Sequence, residues 1–212
     1  MQAVEIETGS QPQAAVIWLH GLGADGHDFE PVVPELALAQ PVRFVFPHAP
    51  VRPVTINQGM RMRAWYDIFQ FGGGAEDEAG IRASQRLVED MIDGEKKRGM
   101  SKILLAGFSQ GGAVVLQTAL RHRERLAGVL ALSTYLPLHA TLDAERSAAN
   151  RDLPIFMAHG HYDDVIPLAR AEQSRRILEN LGYPVEWHAY AMPHSLCPQE
   201  IEDICAFLGR TL

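Results

Sequence analysis

The sequence has few cysteines and no excess of basic residues. Only two of its 212 residues are cysteines, Cys197 and Cys205, and they lie eight positions apart in a stretch that predicts a helix. Helical spacing of that length does not favour a disulfide, so we expect free thiols in a reducing compartment. The formal net charge of −7 argues against nonspecific binding to nucleic acid or to anionic lipid.

Long apolar runs are absent as well. None approaches the roughly 20 residues that span a bilayer, so no integral membrane contact is expected. Residues 1–10 have neither the basic region nor the apolar stretch of a secretory signal, and we therefore expect a cytoplasmic protein. Hydrophobic residues make up 47% and charged residues 21%, which excludes a disordered chain and predicts a single globular domain over residues 1–212.

Short apolar runs alternate with longer amphipathic segments along the whole chain. The runs predict strands at residues 14–19, 42–46, 102–106, 127–132, 154–158 and 185–190. The segments between them predict helices at residues 28–38, 78–99, 110–122, 168–181 and 198–208. This order predicts an α/β fold, with a doubly wound, mostly parallel sheet and helices on both faces.

Residues 47–74 do not fit this alternation. They combine prolines and glycines with large apolar side chains, and their aromatic content argues against disorder. We interpret the stretch as a lid or wall over a cleft; a loop that only covers the sheet edge is the alternative. The apolar candidates for the lining of such a cleft, at or near the carboxyl ends of strands, are Leu22, Ile56, Met60, Trp65, Phe69, Phe71, Tyr135 and Val165.

The strongest local motif is G-x-S-x-G at residues 107–111, between a predicted strand and a predicted helix. In that setting a sharp turn exposes the hydroxyl of Ser109, which is the predicted nucleophile. The hydroxyl needs a base to take its proton and an acid to orient the base. His194, after the last predicted strand, is the predicted base, while Asp163 and Asp164 after the preceding strand remain equal candidates for the acid.

A glycine-rich turn follows the first predicted strand, at residues 20–26. Its backbone N–H groups and that of Gln110 are suited to stabilise an oxyanion. The glycines at 21, 23 and 26 also match the spacing of a dinucleotide-binding motif, but the acidic residue that such a site requires after the second strand is missing. His159 and His161 lack a surrounding carboxylate–histidine trio, so neither a metal nor a cofactor is predicted.

Five motifs stand in a characteristic order along the chain: His20-Gly21-Leu22-Gly23, residues 47–55 (PHAPVRPVT), Trp65-Tyr66-Asp67-Ile68, residues 107–112 (GFSQGG) and Pro193-His194-Ser195. Together they resemble the acyl-protein thioesterases and carboxylesterases of the phospholipase/carboxylesterase branch of α/β-hydrolases. The resemblance implies an α/β-hydrolase fold without a large cap domain, which hydrolyses carboxylic esters or acyl thioesters without a cofactor.

The resemblance also implies roles for single residues. The family's His-Gly-x-x-Asp element matches residues 159–163 and selects Asp163 as the acid. The oxyanion donors become the backbone N–H groups of Leu22 and Gln110, and residues 53–71 lie beside the acyl channel. Tyr135 stands where many members carry tryptophan, and Asp164 where some carry proline. These departures concern the choice of substrate more than the type of reaction.

The residues and the resemblance together predict a serine carboxylesterase or acyl thioesterase for short- to medium-chain acyl groups. Its substrate is a small acyl ester or thioester, with acylated protein and lysophospholipid left open, as is a homodimer. The alternative from another class is a non-catalytic α/β-hydrolase-fold receptor or scaffold. A transferase or a carbon–carbon hydrolase on the same fold is a third reading.

Overall fold

A seven-stranded sheet organises the computed structural model, which describes residues 1–70 and 74–212. The strands of the chain are β1 (Ala3–Glu7), β2 (Ala14–Leu19), β3 (Val42–Pro47), β4 (Val51–Val54), β5 (Met60–Arg63), β6 (Lys102–Phe108), β7 (Gly128–Leu132), β8 (Ile155–Gly160) and β9 (Val185–Tyr190). The α-helices are α1 (Glu78–Lys97), α2 (Gln110–Arg121), α3 (His139–Glu145), α4 (Leu168–Asn180) and α5 (Pro198–Thr211).

The sheet has the strand order β1-β3-β2-β6-β7-β8-β9. Strands β2, β3 and β6 to β9 run parallel, and β1 pairs antiparallel with β3 at the edge. Helices cover both faces: α1, α2, α3 and α4 contribute to the core on one side, and α5 with the 3₁₀ segment Glu30–Leu36 to the core on the other. The predicted fold class is confirmed. Nowhere in residues 1–70 and 74–212 does a helix combine the length and hydropathy that crossing a membrane requires.

The structure differs from the predicted elements in four places. The predicted helix at residues 28–38 is the 3₁₀ segment Glu30–Leu36, because Pro34 inside it lacks the N–H group that an α-helix needs. Residues 47–74 contain the two-stranded hairpin of β4 and β5. Strand β1 was not predicted because it is a partly exposed edge strand without an apolar run, and helix α3 because it is too short to show a clear period.

One buried arginine connects the edge strand to the rest of the sheet. Arg43, in the middle of β3, forms ion pairs with Glu5 at 2.8 Å and Glu7 at 3.1 Å, both on β1. Its Nε also donates to the buried carboxylate of Glu95 on α1 at 2.9 Å. Burial lowers the pKa of Arg43, but the hydrogen bonds to Glu5 and Glu95 outweigh it and raise that pKa overall. The guanidinium therefore stays charged and ties β1 and α1 to β3.

We predict that Arg43→Met lowers the free energy of unfolding by about 3 kcal/mol, because Glu95 is left as a buried charge without its partner. Urea unfolding measures the change. The double variant Arg43→Met/Glu95→Met should recover most of it. Arg98→Met is the matched control, since Arg98 contacts the same Glu95 at 3.5 Å from an exposed position and should change stability by less than about 1 kcal/mol. Equal losses for Arg43→Met and Arg98→Met would contradict this account.

A buried carboxyl group lies on the opposite face of the sheet. Glu200, in the first turn of α5, is completely buried. Burial, together with the charge of Asp203, raises the pKa of the Glu200 carboxyl from 4.5 to about 8. The folded protein therefore holds this proton at pH values where the unfolded chain has lost it.

We predict that the contribution of Glu200 to the free energy of unfolding falls as pH rises from about 4.5 to about 8. Below that window Glu200 is protonated in both states, and within it only the unfolded state releases the proton. Glu200→Gln should flatten this slope and stabilise the protein at pH 8 by on the order of a few kcal/mol. Urea unfolding at pH 5 to 8.5 measures it, with the exposed neighbour Glu202→Gln as control. A Glu200→Gln protein that keeps the wild-type slope would refute the raised pKa.

Candidate active site

Ser109 stands on a strained turn between β6 and α2. Its φ of 54° and ψ of −118° lie outside the regions that residues with a side chain normally adopt. The turn is tight enough to require glycine on both sides. A Cβ on Gly107 would approach the carbonyl carbon of Gly111 to 2.5 Å, and one on Gly111 would approach the Leu19 oxygen to 2.4 Å. The motif thus exists because backbone segments meet here without room for a side chain.

Hydrogen bonds from the neighbouring strand hold this turn in place. The Ser109 backbone N–H donates to the Leu132 carbonyl oxygen at 2.9 Å, and the Thr134 hydroxyl donates to the backbone carbonyl oxygen of Ser109 at 2.6 Å. Both partners come from the end of β7 and the residues after it. The Ser109 side chain makes no capping bond to α2, so its hydroxyl is not used within the helix.

An aspartate and an imidazole form a close pair beyond the ends of β8 and β9. The Nδ1 of His194 lies 2.6 Å from the Oδ2 of Asp163. The Oδ1 of Asp163 accepts the backbone N–H groups of Val165 at 2.9 Å and Ile166 at 2.8 Å. Asp164, in contrast, is exposed. Of the two neighbouring carboxylates, only Asp163 is therefore buried against the imidazole.

The turn after β2 depends on a buried histidine. The Nε2 of His20 accepts the Ala49 N–H at 3.0 Å, which leaves the proton on Nδ1, and Nδ1 donates to the Gly21 oxygen at 2.7 Å. Burial lowers the pKa of His20, in agreement with this neutral form. The indole N–H of Trp65 donates to the His20 oxygen at 2.9 Å. These contacts position the turn that carries Leu22.

Gln110 connects the elbow to the segment after the hairpin. Its side-chain oxygen accepts the Trp65 N–H at 2.8 Å, and its side-chain nitrogen donates to the Tyr66 oxygen at 2.7 Å. Its backbone N–H begins α2, and the first N–H groups of a helix have no partner inside the helix. The side chain of Gln110 therefore serves structure, while its backbone N–H points out of the helix end.

These elements surround one cavity of about 310 Å³. It is lined by Ser109 and His194 together with Leu22 and Gln110, so four residues predicted from the sequence meet there. Of the predicted acyl-pocket residues, it also contains Phe69, Tyr135 and Val165. The remaining lining residues are Gly21, Ala24, Asp28, Tyr66, Asp67, Ile68, Gln70, Gly74, Ala75, Glu76, Asp77, Phe108, Ile166 and Arg170.

A model of the phospholipase/carboxylesterase family matches residues 1–212 of the sequence. The chain belongs to this family. It is accordingly a serine hydrolase, and the predicted resemblance and the prediction of an enzyme are confirmed.

Individual relatives agree with the family match. Acyl-protein thioesterase 1 from Gibberella zeae is 40% identical over 217 aligned residues, which cover 96% of this chain and 92% of the relative. Two plant crystal structures are similar in fold. SOBER1 from Arabidopsis thaliana has a TM-score of 0.89 at 28% identity, covering 93% of this chain and 98% of that one. Acyl-protein thioesterase 2 from Zea mays has a TM-score of 0.88 at 25% identity, covering 99% and 98%.

Three predicted acyl-pocket residues of this family member lie elsewhere. Trp65 is completely buried in the protein core, where its N–H groups bond to His20 and Gln110. Met60 begins β5 on the hairpin and is 65% exposed, and Ile56 lies in the 3₁₀ turn Thr55–Asn57, away from the cavity lining. The assignment of these three to the cavity is therefore corrected. Phe71 lies outside the described residues.

Sequence reasoning also missed several groups around the site. His159 is completely buried, and its Nε2 lies 2.8 Å from the Ile166 oxygen and 3.2 Å from the Oδ2 of Asp163. The hydroxyls of Tyr66 and Tyr135 are hydrogen-bonded at 2.9 Å in the cavity wall. The His-Gly-x-x-Asp spacing was a signal for His159, but nothing local in the sequence pairs the two tyrosines. Within the described parts of the chain, no group of three or more His, Cys, Asp or Glu side chains could hold a metal.

Proposed function

We propose that this chain hydrolyses acyl esters and thioesters of short to medium length through an acyl-enzyme on Ser109. One observation carries the proposal: Ser109 and His194 line the same cavity, and the imidazole of His194 is backed by the buried carboxylate of Asp163 at 2.6 Å. This is the set of groups that activates a serine hydroxyl, a weak nucleophile on its own.

In the proposed reaction the hydroxyl oxygen (Oγ) of Ser109 attacks the acyl carbonyl carbon, and the Nε2 of His194 takes the hydroxyl proton. The tetrahedral intermediate then breaks the bond to the leaving alcohol or thiol, and His194 returns the proton to that group. A water molecule attacks the acyl-enzyme in the same way, with His194 again as base, which releases the carboxylic acid and restores the serine.

The oxyanion of each intermediate needs donors that are already in position. We assign the backbone N–H groups of Leu22 and Gln110 to this role. Gln110 begins α2, so the positive end of the helix dipole adds to its N–H group. The bonds of His20 to Gly21 and Ala49 support the Leu22 turn before substrate arrives. Such donors act because they cost no rearrangement during the reaction.

Asp163 is assigned to orient the base and to stabilise its charged form. Its Oδ2 faces the Nδ1 of His194, so the Nδ1–H is held and Nε2 is left to accept the serine proton. The two backbone N–H groups on Oδ1 fix the orientation of the carboxylate towards the imidazole. The imidazolium that forms in each step is therefore paired with a fixed negative charge.

The cavity wall supports an acyl group as the part of the substrate that is bound. Leu22, Ile68, Phe69, Phe108 and Val165 contribute apolar surface next to Ser109. Each methylene buried there contributes up to about 0.8 kcal/mol, so kcat/KM should rise with chain length until the cavity is filled. We expect an optimum between about C4 and C10. The relatives named acyl-protein thioesterases make a cysteine thiol of an acylated protein the leaving group to test first.

A panel of p-nitrophenyl esters and acyl thioesters of graded length tests the proposal directly. Ser109→Ala should lower kcat by roughly 10³- to 10⁶-fold and keep the wild-type melting temperature within a few degrees. Labelling by a fluorophosphonate should disappear in the same variant. A Ser109→Ala protein that keeps more than about a tenth of the turnover, with contaminating hydrolase excluded by the labelling gel, would disprove the nucleophile.

The pair Asp163 and Asp164 supplies a matched test of the acid. Asp163→Asn should lower kcat by about 10⁴-fold, because an amide at this place favours the wrong imidazole tautomer. Asp164→Asn removes a charge of the same sign from an exposed neighbour and should change kcat less than about twofold. Steady-state kinetics on one good ester decide the matter. Similar losses in both variants, or a larger one at Asp164, would reverse the assignment.

A further inference from the structure

A second cavity adjoins the one that contains Ser109. Its volume is about 380 Å³, and Gly74, Glu76 and Arg170 line it as well as the first cavity. These three residues form a wall that the two cavities share, and Glu76 and Arg170 are its charged members. The other residues around the second cavity are Leu136, His139, Pro167, Ala169, Gln173, Ser174 and Ile177.

The shared wall is a stack of side chains from three parts of the chain. Arg170, in the first turn of α4, places its guanidinium carbon 3.4 Å from the centroid of the Tyr135 ring. Its Nη2 lies 3.8 Å from the Oε1 of Glu76, and both side chains are about one-quarter exposed. Tyr135 is fixed in turn by its hydroxyl bond to Tyr66. A planar cation on an aromatic face is therefore part of the wall that the two cavities share.

We propose that Arg170 and Glu76 form an end wall that sets the longest acyl chain the enzyme accepts. The proposal rests on the proposed function, because it makes the Ser109 cavity the acyl site. A growing alkyl chain that reaches this wall would have to displace the guanidinium from Tyr135 or cover both charges with methylenes. Covering a charge removes its remaining water and is unfavourable. Chain length beyond that point therefore adds no binding energy in the transition state.

The wall should open without loss of the fold. The ion pair is long and partly exposed, and such pairs contribute little to stability. Tyr135 keeps its hydrogen bond to Tyr66 when Arg170 is shortened. Glu76 keeps its backbone partner, because its Oε2 accepts the Leu138 N–H at 3.0 Å. Removing the guanidinium thus joins the cavities and leaves the surrounding contacts in place.

The test is the acyl-length profile of Arg170→Ala on p-nitrophenyl esters from C2 to C16. In the wild type, kcat/KM should stop rising at the length that fills the first cavity. In Arg170→Ala the optimum should move to longer chains, with a gain of roughly fourfold for each further methylene that enters the second cavity. Esters shorter than the wild-type optimum should change less than longer ones, because their chains do not reach the wall.

Two further variants keep the result clear. Arg176→Ala removes an arginine of the same helix that pairs with Glu172 at 3.3 Å on the surface, and its profile should match the wild type. Glu76→Ala shortens the other side of the wall and should shift the optimum in the same direction as Arg170→Ala, which decides the question if Arg170→Ala does not fold. A folded Arg170→Ala or Glu76→Ala protein with the wild-type optimum would overturn the proposal.

A binding experiment separates this proposal from the proposed function. Straight-chain fatty acids of increasing length are titrated into the Ser109→Ala protein with and without Arg170→Ala, so that no turnover is needed. The affinity should level off in the single variant and continue to rise in the double variant. If wild type hydrolyses no ester but the two binding series differ in this way, only the proposed reaction fails. If esters are hydrolysed and the two series coincide, only the end wall fails.

Discussion

The close approach of α2 to the end of β2 is the constraint on which the site depends. The first turn of the helix lies so near that strand that only Gly111 fits against the oxygens of Leu19 and His20. The same approach puts the helix N-terminus beside the turn that carries Leu22 and forces Ser109 to a φ of 54°. The strained backbone of Ser109, the proposed nucleophile, and the placement of the two proposed oxyanion donors therefore depend on the same packing contact. Strain of this kind persists only because the surrounding sheet over-determines it.

The segment after the hairpin packs between the turn after β2 and the start of α2. Trp65 bonds to His20 through its indole and to Gln110 through its backbone, so it connects the turn after β2 with the start of α2. Residues 74–77, by contrast, line the first cavity, and Gly74 and Glu76 line the second cavity as well. The irregular stretch of the sequence thus has an inner part at Trp65 that supports the turn after β2, and it continues into residues that line the cavities.

Sequence patterns predicted what depends on local chemistry. The six parallel strands, the elbow at Ser109 and the position of His194 after β9 follow from apolar runs and short motifs. Strand β1 was not predicted, because it is a half-exposed edge strand that is held by the ion pairs of Arg43 and has no apolar run. The local sequence does not distinguish Asp163 from Asp164 without the family resemblance, since which of the two carboxylates is buried depends on the whole fold. Trp65 was misplaced for the same reason: an aromatic residue in a loop can fill the core instead of a cavity.

The residues proposed for the reaction and those proposed to select the substrate are held in place by different kinds of contact. Ser109, His194 and Asp163 are positioned by backbone hydrogen bonds and by glycines at the ends of adjacent strands, and a side chain at one of those glycines would disturb the turn geometry itself. The far wall of the cavity consists of side chains from α4, from the residues before α1 and from the segment after β7, which meet only in the folded chain. Such side chains can be exchanged without moving the strand ends. The fold therefore allows acyl-chain preference to vary while the proposed catalytic geometry stays the same.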